Sequence, residues 1–125
     1  MNFPEDLLNK IPQEAGRYLS CGEGWSELLF QTDLKLSYID PDYQILQIKE
    51  KFGTLRYYFR SNKPELLRQI MRDIVAQAEI ESSMICEACG GGTGKYKKKF
   101  NGSVKIRDLG RVQTLCDDCY LKRTS

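Results

Sequence analysis

Hydrophobic positions along the chain change period twice, and each period predicts a different element. Residues Pro4 to Lys10 have the spacing of a short amphipathic helix, with Pro4 early enough that its missing N–H costs nothing. A glycine-punctuated stretch follows through Gly16, Cys21, Gly22 and Gly24. From Trp25 to Ile39 the large apolar residues are Trp25, Leu28, Leu29, Phe30, Leu34, Leu36, Tyr38 and Ile39. The first part reads as helix, and Asp40-Pro41-Asp42 ends the segment as a turn. Tyr43 to Arg60 shifts to a period of two. Leu46 and Ile48 share one face before Gly53, and Leu55, Tyr57 and Phe59 share one face after it, which predicts an antiparallel hairpin. Its opposite face would show Lys49, Lys51, Arg56, Tyr58 and Arg60. Pro64 to Met84 then returns to helical spacing, with Leu66, Leu67, Ile70, Met71, Ile74, Val75 and Ala78 at three- and four-residue steps. Ser61 or Asn62 can cap this helix, and it should cover the apolar face of the hairpin. The fold class expected is α+β, a small helix-plus-hairpin domain over residues 1–83.

Charge changes the picture after Ser83. Residues 1–83 carry 10 basic and 13 acidic side chains, a net of −3, and residues 84–125 carry 9 and 4, a net of +5. The overall +2 of this 125-residue chain is thus a cancellation between two parts of opposite sign. Hydrophobic residues at 41% and charged ones at 29% fit an ordinary globular protein and argue against wholesale disorder. There is no histidine. The commonest general base, the Ser-His and Cys-His nucleophile pairs and all mixed Cys/His metal sites go with it. No leader segment or membrane-length apolar run is apparent, so a cytoplasmic, thiol-reducing setting is expected.

In such a setting clustered cysteines point to metal. Cys86-Glu87-Ala88-Cys89 and Cys116-Asp117-Asp118-Cys119 are two C-x2-C pairs, 26 residues apart. Two residues between cysteines let a tight turn aim both sulfurs at one point, and two such turns complete a tetrahedron. Gly90 follows the first pair where such a knuckle needs a permissive backbone. The second pair leads into Tyr120-Leu121-Lys122-Arg123, a possible helix start. The expectation for residues 84–125 is a four-cysteine zinc-ribbon or treble-clef module holding one structural Zn2+ on Cys86, Cys89, Cys116 and Cys119. Disulfides or buried thiols explain two matched pairs less well; an iron-sulfur cluster is the other option for four thiolates. Cys21 stands alone and reads as a small core residue.

Other motifs are weaker. Gly90 to Lys95 resembles a phosphate loop, but Cys89 stands where a glycine is required and Tyr96 where Ser or Thr would ligate magnesium. Lys95, Lys97, Lys98 and Lys99, interleaved with Tyr96 and Phe100, form a basic run that could track a phosphate backbone or be a solvated strand edge. The acidic pairs have capping or turn roles that suffice. Without His or paired acids on a recognisable scaffold, no enzyme, no small-molecule substrate and no membrane partner is expected.

Gly24-Trp25, the phrase Gln47-Ile48-Lys49-Glu50-Lys51-Phe52-Gly53-Thr54-Leu55-Arg56-Tyr57-Tyr58, Cys86-Glu87-Ala88-Cys89-Gly90 and Thr114-Leu115-Cys116-Asp117-Asp118-Cys119 carry a resemblance. The chain resembles a group of small bacterial and phage proteins that share a KEKFGTLRYY hairpin and a CxxC…TLCxxC tail. It departs from them at Leu109-Gly110-Arg111-Val112, where a Trp is expected before the final pair. Small proteins of this kind often accompany toxin genes, so the resemblance implies an accessory or immunity role. The function expected first is therefore a non-catalytic, zinc-stabilised protein-binding module, an immunity protein that neutralises a bacterial toxin by direct binding. Glu23, Glu27, Asp33, Asp40 and Asp42 are its candidate contacts to a basic toxin, with the outward hairpin face as the other candidate surface. The alternative is a zinc-dependent nucleic-acid binder using Lys95, Lys97, Lys98, Lys99, Lys105, Arg107 and Arg111.

Overall fold

The structure is a computed structural model, and it describes residues 19–92, 104–110 and 112–124. The amphipathic helix expected at Pro4 to Lys10 and the basic run from Lys95 to Phe100 lie outside the described residues. The elements are β1 (Leu19–Ser20), a 3-10 turn (Glu23–Trp25), α1 (Ser26–Ile39), β2 (Gln44–Lys51), β3 (Thr54–Arg60), α2 (Glu65–Ser82), β4 (Val104–Asp108), β5 (Val112–Cys116) and α3 (Asp117–Thr124). The fold is α+β. One sheet has the order β1-β2-β3, with β1 parallel and β3 antiparallel to β2; the other is the β4-β5 hairpin.

The β2–β3 hairpin closes where the sequence predicts. Phe52 and Gly53 take φ of 54° and 85°, the paired positive values that a two-residue turn needs to follow the strand twist. The Glu50 carboxylate accepts the Gly53 N–H at 2.7 Å and fixes the turn. The expected inward pair of Leu46 and Ile48 is corrected by a bulge between Ile45 and Gln47. One extra residue shifts the alternation, so Ile45 and Ile48 are buried while Leu46 is exposed.

α1 and α2 cover the inward face. Leu28, Leu29 and Leu36 of α1 meet Ile45, Ile48, Leu55 and Tyr57 of the sheet and Met71, Val75 and Ala78 of α2 in one core. Helix α1 runs the full length of Ser26–Ile39 and ends where Asp40 begins the expected turn. Leu66 and Ile70, which share the helical spacing of α2, are exposed at 75% and 44%, so the buried stripe starts a turn later, at Met71. α2 also covers the outer edge of β3. Ser82 Oγ accepts the Leu55 N–H at 2.9 Å and Glu79 Oε2 accepts the Tyr57 N–H at 3.1 Å.

Beyond α2 the chain turns back onto this unit. Ile85 belongs to the same core, and its carbonyl accepts the indole N–H of buried Trp25 at 3.0 Å. A second, smaller cluster of Cys86, Leu115 and Cys116, with Val104 and Tyr120 packed on it, sits beneath β4, β5 and α3. Thr114 Oγ1 donates to the Gly53 carbonyl, which seats the second hairpin against the turn of the first. Among the described residues no helix is long and apolar enough to cross a membrane.

Candidate metal centre

Residues 85–92 fold as a tight knuckle. The Cys86 N–H donates to the Gly91 carbonyl at 2.6 Å and the Gly90 N–H to the Cys86 carbonyl at 2.9 Å, while Ile85 bridges to Gly92. Gly90 has a φ of 81°, the left-handed conformation that glycine adopts without steric cost. The second pair uses a different device. Cys116 ends β5 and Cys119 lies in the first turn of α3, so the strand-to-helix transition brings the sulfurs together. Backbone N–H groups point at sulfur in both pairs, Gly91 to Cys89 Sγ at 3.4 Å and Cys119 to Cys116 Sγ at 3.5 Å.

The four sulfurs of Cys86, Cys89, Cys116 and Cys119 all lie within 4.8 Å of one another, and Cys89 and Cys116 are 3.7 Å apart. Bonds of ~2.3 Å to a central ion place tetrahedral sulfurs ~3.8 Å apart, so the donor set fits a four-coordinate metal with little rearrangement. All five cysteines are free thiols. The thiols also perturb one another. Burial works against ionising Cys86, but backbone hydrogen bonds from Cys116, Cys89 and Ala88 outweigh it and bring this thiol below its ordinary value. Cys89 and Cys119 are pushed up, first by burial and then by the neighbouring thiols, with the Gly91 N–H partly offsetting the rise at Cys89. Ionising all four sulfurs this close would need a positive ion between them.

The knuckle is held from outside by contacts that local sequence reading misses. Glu87, between the first two cysteines, is 1% exposed, and its carboxylate accepts the Gly22 N–H at 2.8 Å. Its carbonyl accepts the Gly24 N–H at 2.7 Å, and its own N–H donates to the Thr114 carbonyl at 2.8 Å. A Cβ on Gly22 or Gly24 would collide with the backbone of Glu87, and on Gly24 also with the Cys86 carbonyl. The signal was present as Gly22-x-Gly24-Trp25, but nothing local says what those glycines approach. Gly90 to Gly92 are buried knuckle backbone.

The other candidate residues are dispersed. Glu27 and Asp42 are exposed, with Glu27 accepting from Gln31, while Glu23 lies in the 3-10 turn. Asp33 and Asp40 are buried at 7% and 5%, so neither belongs to an exposed acidic face. Asp33 accepts from the Tyr43 hydroxyl at 2.5 Å, and that hydroxyl meets the Tyr57 hydroxyl at 2.6 Å. Asp40 accepts from the Ser61 hydroxyl at 2.5 Å and the Asp42 N–H at 3.0 Å. Buried carboxylates of this kind organise turns and cores. In the tail Lys105 is exposed, while Arg107, the candidate nucleic-acid contact beside it, is drawn into local pairing. It pairs with Asp117 at 2.5 Å, lies 4.4 Å over the Tyr120 ring and is only 14% exposed. Lys95, Lys97, Lys98, Lys99 and Arg111 lie outside the described residues.

No family model matches the chain, and no curated protein and no solved structure is significantly similar to it.

Proposed function

We propose that the chain is a non-catalytic protein-binding module stapled by one structural Zn2+, most concretely an immunity-type inhibitor of a bacterial toxin. The observation that carries the metal half is the convergence of four cysteine sulfurs within 4.8 Å. With four protein thiolates a tetrahedral ion has no position left for water or substrate, which supports a structural role. A knuckle, a hairpin and a second pair at a helix start match a treble-clef arrangement, and closed all-cysteine sites of that design favour zinc over an iron-sulfur cluster. The ion fixes the hairpin β4–β5 and α3, whose own apolar cluster is small, to the larger core.

The toxin half is supported by the KEKFGTLRYY and CxxC…TLCxxC resemblance. A metal-fastened surface is rigid, which lowers the entropy cost of docking. Of the acidic set, Glu27 and Asp42 are the exposed side chains that remain for a basic partner.

Elemental analysis of the purified chain should give one zinc per chain, and Co2+ substitution should give intense thiolate-to-metal absorption. Iron with a visible cluster spectrum refutes the zinc assignment. Co-purification with the product of the neighbouring gene, lost in Glu27→Lys/Asp42→Lys, tests the toxin reading. If no complex forms, that reading falls while the metal assignment stands.

A further inference from the structure

The register of the β2–β3 hairpin sorts its charges by face. Directly paired residues on antiparallel strands project to the same side. Lys49 pairs with Arg56 and Lys51 with Thr54 on the side away from the core, and further along Gln47 pairs with Tyr58 and Gln44 with Arg60. This outward face carries four cations and no carboxylate, although residues 1–83 as a whole are net acidic at −3. The one acid of the two strands, Glu50, pairs with Leu55 on the opposite face.

Composition does not require this arrangement, and stability disfavours it. Like charges directly across a sheet repel, as Lys49 and Arg56 do. Among the described residues none of the four cations forms an ion pair; Lys49 sits 5.8 Å over the Tyr58 ring and Arg60 donates to the Gln44 amide at 2.7 Å. Tyr58 is 42% exposed in the middle of the face. Alternate residues on a strand recur every ~6.7 Å and neighbouring strands lie ~4.8 Å apart, so Lys49 and Lys51 form one row and Arg56, Tyr58 and Arg60 the next, with the ring between two arginines. A groove of about 440 Å3 between β3 and α2 adjoins the face at Tyr58 and Arg60; it holds the Glu79 carboxylate, and its Arg68 and Arg72 are paired with Glu65, so the four strand cations alone are counted for binding.

We propose that this face binds single-stranded nucleic acid, its cations neutralising backbone phosphates while Tyr58 stacks a base. A flat sheet with an exposed aromatic ring and flanking cations suits unpaired bases, which stack on any π-face. Duplex is disfavoured by shape. Backed by α1 and α2, the hairpin is too thick to enter a major groove ~12 Å wide. An acidic protein segment would satisfy the cations but offers the Tyr58 ring among them no base to stack on. The inference does not rest on the toxin reading, and it moves nucleic-acid contact from the basic tail to the sheet.

The test is fluorescence anisotropy of labelled oligothymidylate and oligouridylate with the zinc-loaded full chain, across a salt series. Neutralising four phosphates gives a log–log salt slope of about −2.8, from −0.7 for each on a single strand. Lys49→Gln/Arg56→Gln should reduce the slope to about −1.4, and it should raise thermal stability slightly by removing a like-charge pair, which shows that the variant folds. Tyr58→Ala should weaken binding about 5- to 150-fold with the slope unchanged, the equivalent of losing one stacked base. Lys35→Gln on exposed α1 should change nothing. The proposal is overturned by absence of binding, by salt-insensitive binding, or by a slope the double variant leaves intact. Tighter binding of poly-L-glutamate through the same residues also overturns it, in favour of an acidic protein partner.

Discussion

Gly24→Ala should be among the most damaging single-methyl changes in this protein, and the reason is space. The added Cβ would lie 2.6 Å from the Glu87 carbonyl carbon and closer still to the Glu87 and Cys86 carbonyl oxygens. All are backbone atoms, and they cannot yield independently. The Glu87 peptide is held by its hydrogen bonds to Gly24 at 2.7 Å and Thr114 at 2.8 Å, and Cys86 by its bond to Gly91 at 2.6 Å. Relieving the contact requires the loop to withdraw by roughly 1 Å, which breaks the Gly24–Glu87 bond and strains the Trp25–Ile85 bond beside it. Overpacking costs ~1–3 kcal/mol, and a buried hydrogen bond broken with its acceptor left unsatisfied costs ~1–3 kcal/mol, so the loss should be about 2–6 kcal/mol. Urea unfolding of the zinc-loaded protein, followed by the fluorescence of its single Trp, measures it directly. Gly110→Ala is the matched control. Its Cβ meets nothing within 4 Å, but its φ is +88°, so it should cost only the ~1–2 kcal/mol of a left-handed backbone. A Gly24→Ala loss equal to or below that of Gly110→Ala would refute the claim that the loop and knuckle are locked together.

Other expectations can be checked alongside. Removing the metal with a chelator, or through Cys89→Ser, should shift Trp25 fluorescence as well as unfold the tail, because Ile85 is shared by the core and the knuckle; unchanged emission would uncouple them. Tyr43→Phe removes the hydroxyl joining Asp33 to Tyr57 inside the core and should cost ~1–3 kcal/mol by thermal denaturation, with Tyr38→Phe, at 91% exposure, near zero. Stability should hold below about pH 9 and fall above it, since the folded state keeps protons that the unfolded chain releases. Burial, then the Glu87 and Glu50 carboxylates, push the Cys21 thiol up to about 12, and burial first of all raises Tyr43 and Tyr57. Urea midpoints followed from about pH 8 to about pH 11 report this, and Cys21→Ala should flatten the onset. Arg107→Ala should cost ~1 kcal/mol, since its partner Asp117 is 40% exposed and screened, with the Cys116–Cys119 end most affected in hydrogen exchange.

Local chemistry made much of this readable in advance. The hairpin with its turn at Phe52–Gly53, the helix within Pro64 to Met84 and the four thiols all follow from period, turn residues and ligand spacing. What escaped depends on distant partners. Asp33 and Asp40 look like surface charges until Tyr43 and Ser61 are found beside them. Arg107 looks free until β5 and α3 bring Asp117 and Tyr120 to it. Leu46 and Ile48 suggest an inward pair, and the bulge between Ile45 and Gln47 changes which side chains point inward. Strand β1 spans two residues and leaves no period to detect.

The bond between Trp25 and Ile85 spans 60 positions of sequence, and β2, β3 and α2 all lie between its ends. Closing a loop of that length costs about 3.6 kcal/mol of chain entropy beyond the length-independent part. During synthesis that bond therefore cannot form until Ile85 has left the ribosome. Until then the Trp25 indole N–H lacks the carbonyl that it meets in the folded chain. The knuckle that carries Cys86 and Cys89 thus reaches the core together with the residue that caps Trp25.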